Sequence, residues 1–155
     1  STSTTTTTTT STSTTTSTIN CPISSLTAER TPILQLDPDV NVTVIVQFPG
    51  GSNIDDCCLQ RTPGDSLAAT TTVFYSFQPD ATITTFVESP SKRSELMGTF
   101  PTSGSSNPTF ASGSFTTDAF DGERIKGEWT VTVNADAIGS NLLTTRLVAQ
   151  VETCQ

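Results

Sequence analysis

Residues 40–48 (VNVTVIVQF) alternate with period two: Val40, Val42, Val44, Val46 and Phe48 fall on one face and Asn41, Thr43 and Gln47 on the other. Successive side chains of a strand point to opposite sides, so the stretch predicts a half-buried β-strand, ended by the Pro49-Gly50-Gly51 turn. Residues 70–77, 81–88, 108–116, 128–134 and 142–152 carry the same Val/Ile/Thr/aromatic bias, and turn-forming residues at 78–80, 102–108, 121–122 and 135–141 separate them. Within 128–134, Trp129, Val131 and Val133 share a face opposite Glu128, Thr130 and Thr132, which makes Trp129 a core anchor rather than a sugar-stacking platform. Phe74, Tyr75, Phe77 and Phe86 read as core positions of their own strands. No stretch of ten residues holds a 3.6-residue period, and the short amphipathic segment 24–30 predicts at most a helical turn or two. The expected fold class is all-β: about seven strands in an antiparallel β-sandwich or jelly roll.

This pattern stops short of the N-terminus. Residues 1–18 (STSTTTTTTTSTSTTTST) contain only hydroxyl side chains and nothing to bury. Such a tract cannot offset its own ordering entropy, so order in it requires attached sugars or a neighbouring molecule. The expected organisation is an extended, non-globular tail at 1–18, a connector at 19–32 and a β-sandwich domain at 33–155. Thr4, Thr5, Thr6, Thr7, Thr8, Thr9, Thr10, Thr12, Thr14, Thr15, Thr16 and Thr18 are the expected O-glycosylation sites.

Charge and cysteine chemistry narrow the setting. Net charge −8 with only 7 basic residues gives no footprint for nucleic acid, and no apolar run reaches the length of a membrane-spanning helix. The chain begins at Ser1 without a signal-like segment, so it is expected to be a processed protein or a piece of a longer one. Cys21, Cys57, Cys58 and Cys154 match no zinc spacing and the chain has no His, which leaves disulfides. Adjacent strand residues face opposite ways, so Cys57 and Cys58 would reach different partners, one at each end of the domain, with the connectivity open. Disulfides, the Asn41-Val42-Thr43 N-glycosylation sequon and the hydroxyl tract together predict an extracellular or cell-surface protein.

Residues 119–152 (AFDGERIKGEWTVTVNADAIGSNLLTTRLVAQVE) resemble the closing part of the P domain that accompanies subtilisin-like proprotein convertases. Phe120, Gly122, Gly127, Trp129, Val131 and Val133 occupy the places of that family's F-x-G and G-x-W-x-L-x-V elements, and NVTVIVQFPGGS resembles its strand ending in a Pro-Gly turn. The resemblance implies a jelly-roll-like sandwich that supports folding or binding and carries no catalytic residues.

Candidate chemistry is sparse. Without His there is no usual general base or triad, and Ser89-Pro90-Ser91-Lys92 matches S-x-x-K only in a Pro-interrupted loop where the motif requires a helix. Asp118, Asp121 and Glu123 read as turn residues. Asp37 with Asp39, Asp55 and Asp56 with Asp65, and Asp118 with Asp121 are the groups that would serve one bound Ca2+; otherwise no cofactor is expected. The sequence therefore points to a non-enzymatic structural subunit that assembles with copies of itself, head to tail, into a glycan-coated filament or surface layer, its tail ordered by O-glycans and neighbours. The alternative is a stalk-tethered module that binds carbohydrate or protein.

Overall fold

Among the described residues, strands β1 (Ser25–Arg30), β2 (Leu34–Leu36), β3 (Val42–Val46), β4 (Cys57–Leu59), β5 (Leu67–Tyr75), β6 (Ala81–Glu88), β7 (Ser94–Thr102), β8 (Thr109–Thr117), β9 (Trp129–Ala135) and β10 (Ser140–Thr153), with a 3-10 turn at Gly51–Ile54, make up the regular structure. This is a computed structural model, and it describes residues 20–61, 65–75, 81–102, 109–137 and 139–155. The hydroxyl tail and its threonines lie outside the described residues.

The strands form two antiparallel sheets, ordered β3-β9-β6-β7 and β1-β10-β5-β8, with β2 and β4 also pairing with β10. The all-β sandwich expected from the period-two pattern is what the chain adopts. In β5, β6 and β9 every other residue is buried, and the buried sets of the two sheets face each other. The 14-residue β10 is the spine of the larger sheet: it pairs with β1 from Arg30↔Thr145 to Ser25↔Gln150 and with β5 along its length, with a register shift between Leu142 and Thr144.

Trp129 anchors the core as expected. It is fully buried, its Nε1–H donates to the Ile125 carbonyl at 2.9 Å, and the rings of Phe48 and Phe120 meet it edge-on at 5.9 and 5.4 Å. Burial of the large ring with its one polar atom satisfied contributes about 3 kcal/mol without a desolvation penalty. Two disulfides close around this end of the core, Cys21–Cys57 and Cys58–Cys154. The adjacent cysteines do reach opposite ends of the chain.

Two local expectations are overturned. Residues 25–30 form a strand, not a helical turn, because Leu26 and Ala28 alternate inward while the backbone hydrogen-bonds to β10; a six-residue helix would have no comparable partner. β7 was not expected at all. A bulge at Met97, where the register moves from Thr85↔Gly98 to Phe86↔Leu96, shifts which residues face inward and breaks the alternation in the sequence.

Candidate binding surface

The outer face of the β1-β10-β5-β8 sheet is the most distinctive surface of the molecule. Strand alternation turns Thr70, Thr72 and Phe74 of β5 outward, beside Phe110, Ser112, Ser114 and Thr116 of β8. Thr70 and Ser114 share one side-chain hydrogen bond at 2.5 Å, and Thr72 and Ser112 share another at 3.0 Å. These cross-strand hydroxyl pairs form a ladder. At its end Phe74 and Phe110 pack edge-on with ring centroids 5.1 Å apart, and Phe110 is 64% exposed. On the far side of the ladder, Arg146 of β10 pairs with Glu29 of β1 at 3.3 Å. Those two are the only charged outward positions where the four strands run side by side, and they cancel. A protein of net charge −8 thus presents a neutral, hydroxyl-rich sheet face with an aromatic corner.

Phe74 corrects the expectation that it is a core residue. Leu67, Ala69, Thr71, Val73 and Tyr75 are the buried positions of β5, which fixes residue 74 on the opposite face. Phe86 is likewise outward on β6; of the four aromatics expected in the cores of the 70–77 and 81–88 strands, Tyr75 is buried and Phe77 lies outside the described residues. The sequence contained this signal: strict alternation through β5 places residues 73 and 74 on different faces.

The remaining candidate residues do not converge. Asn41 is exposed at the entrance to β3, where its Oδ1 accepts from Asn134 Nδ2 at 3.0 Å. Ser89, Ser91 and Lys92 lie in a tight turn closed by Lys92 N–H to Ser89 O at 2.9 Å, with Ser91 donating to Glu123; the S-x-x-K match is a loop. Among the described residues no three His, Cys, Asp or Glu side chains come together to hold a metal ion. The acidic groups are instead spent singly: Asp55 pairs with Lys126, Asp121 accepts from Ser66, and Asp37 accepts from Gln35. Two open depressions flank that end of the sandwich. One of about 430 Å³ runs over Phe48, Pro49, Gly50 and Ile54 to Lys126, and one of about 340 Å³ lies between Pro90, Glu123 and Lys126.

No family model matches the chain, so the P-domain resemblance stands without support from that quarter. No curated protein matches it either. Among solved structures, it is similar to a family 6 carbohydrate binding module from Cellvibrio mixtus lichenase 5A in complex with cellotriose: 12% identity, TM-score 0.42, covering 77% of this chain and 85% of that one. It is also similar to the C-terminal module of the same family from LamC of Zobellia galactanivorans, at 9% identity and TM-score 0.41 over 79% and 98% of the two chains. Murine APRIL is a third, at 13% identity and TM-score 0.40 over 81% and 98%.

Proposed function

We propose that this protein is an extracellular, non-catalytic binding module, and that its ligand is a neutral polysaccharide held on the outer face of the β1-β10-β5-β8 sheet. The observation that carries the reading is the juxtaposition of Phe110 and Phe74 with the Thr70–Ser114 and Thr72–Ser112 ladder on a face of no net charge. A sugar ring has an apolar C–H face and a rim of hydroxyls. The exposed Phe110 ring offers the first a stacking surface, and the serine and threonine hydroxyls, which both donate and accept, serve the second. Four strands at about 4.8 Å spacing give a width of about 14 Å, enough for a chain of sugars rather than one. A charged glycan would find no net opposite charge on this face. The disulfides support an oxidising, extracytoplasmic setting.

The head-to-tail filament expected from the tail rests on residues outside those described, whereas the sheet face is formed entirely by residues the structure describes.

Affinity electrophoresis or calorimetry of the full chain against neutral and uronate-bearing polysaccharides tests the reading. Binding confined to neutral glycans, and weakened about tenfold in Phe110→Ala, is expected, since one stacked ring is worth about 1.4 kcal/mol. Unchanged binding in Phe110→Ala, or no binding to any neutral glycan, would overturn it.

A further inference from the structure

The other sheet carries a different surface on its outside. Asn41 just before β3, Thr43 and Ile45 of β3, Thr130, Thr132 and Asn134 of β9, Thr84, Phe86 and Glu88 of β6, and Leu96 and Thr99 of β7 share the outward face. Reading across the strands, Thr43, Thr132, Phe86 and Leu96 form one row, and Asn41, Asn134, Thr84 and Thr99 the next. Leu96 is 56% exposed and Ile45 48%. Phe86 and Leu96, paired in register, form an apolar patch on a polar sheet, with Ile45 apart at the opposite margin.

The geometry points to an occupant that is already part of the molecule: an N-linked glycan on Asn41 that lies across this face and covers Phe86 and Leu96. Asn41 opens the only sequon in the chain, at the entrance to β3, which among the described residues pairs with β9 alone. Its side-chain oxygen, and not the amide nitrogen that takes the sugar, accepts from Asn134 Nδ2 of the neighbouring strand. Thr43, the hydroxyl residue of the sequon, faces the same way. From β3 to β7 the face is three strand spacings wide, about 14 Å, and the path from Asn41 to Leu96 crosses amides, threonine hydroxyls and one phenyl ring. Those groups match a glycan's alternating hydroxyl and C–H surfaces. The two disulfides place the chain in the oxidising compartment in which such glycans are attached. The edge needs protection as well: β3 is uncharged between Val42 and Val46, and on its open side the Arg30 guanidinium donates to the Ile45 carbonyl at 3.5 Å. A glycan on Asn41, the residue before the strand, would block pairing with another chain.

The test is secretion of the full chain from eukaryotic cells, followed by peptide mass mapping with and without peptide-N-glycosidase. After reduction of the disulfides, the peptide spanning residues 31–61 is expected to appear only after enzyme treatment, displaced from its sequence mass by the single conversion of Asn41 to Asp, and Thr43→Ala is expected to abolish the modification. An unmodified Asn41 in the secreted, disulfide-bonded protein would overturn the site, and so would a glycan that persists in Thr43→Ala. Hydroxyl-radical footprinting tests the covering. Phe86 and Leu96 are expected to react several-fold faster in Asn41→Gln, which keeps an amide for Asn134, while Phe110 on the opposite sheet stays unchanged. Equal rates at Phe86 and Leu96 would show the glycan standing off the face and overturn that part.

Discussion

Where β7 and β8 meet at the side of the sandwich, two glycines and two phenylalanines interlock. A Cβ placed on Gly113 would lie 2.2 Å from Cδ1 and 2.6 Å from Cγ of Phe100, and one on Gly98 would lie 2.4 Å from Cε1 and 2.5 Å from Cδ1 of Phe115. The two rings sit 6.5 Å apart, so neither can retreat far without meeting the other. Since carbon atoms rest at about 3.5–4.0 Å, Gly113→Ala must displace the Phe100 ring by well over 1 Å in a side chain that is only 7% exposed. Overpacking of that kind costs about 1–3 kcal/mol, against roughly 0.5–1 kcal/mol returned by replacing a strand glycine with alanine. A net loss of about 1–2 kcal/mol is expected, a fall of about 3–8 °C in Tm for a domain of this size. Urea and thermal melts with the disulfides intact measure it. The double-mutant cycle with Phe100→Leu is the sharper assay: if the clash is the cause, the shortened side chain recovers part of the loss and the two substitutions couple by about 1 kcal/mol. Gly113→Ala as stable as the parent, or strictly additive with Phe100→Leu, would refute the interlock.

The hydroxyl of Thr145 is buried without a hydrogen-bond partner among the described residues, so Thr145→Val is expected to raise stability by about 1 kcal/mol, read as a higher urea midpoint at unchanged m. Replacing Cys58 and Cys154 by serine opens a closure of 96 residues and is expected to cost about 4–5 kcal/mol; the pair Cys21 and Cys57, closing 36, costs about 4 kcal/mol by the same chain-entropy reasoning, and the ordering is checked by denaturation of the two double variants. Phe110→Ala removes a largely exposed ring that packs edge-on against Phe74, so it is expected to lower Tm by only about 1–5 °C while it lowers glycan affinity.

Period-two alternation was enough to find the sheets. It located β3, β6 and β9, and it placed Trp129 in the core, because a strand buried on one face writes its burial directly into the sequence. Where a second influence acts on the backbone, that writing blurs. The Met97 bulge hid β7, and β1 looked like a connector because its apolar face is only Leu26 and Ala28, too short a signal without its partner β10 in view. The surface suffered most. Aromatic type alone points to the core, yet Phe74 and Phe86 face outward, and the hydroxyl ladder joins residues 44 and 40 positions apart, Thr70 to Ser114 and Thr72 to Ser112, which no local pattern reveals. The cysteines were legible in number and direction; their pairing was geometric.

That pairing has a mechanical consequence. A pull applied between Asn20 and Gln155 enters at Cys21, crosses to Cys57, passes one peptide to Cys58 and leaves through Cys154, with Cα steps of 4.8 and 5.0 Å at the two bridges. Both sheets hang as closed loops off this path and carry none of the load. The distance between Cys21 and Cys154 cannot exceed about 17 Å under tension, whatever the strength of the sheets. For a domain tethered at one end and loaded at the other, the yield point is then set by thiol reductants rather than by force on its hydrogen bonds.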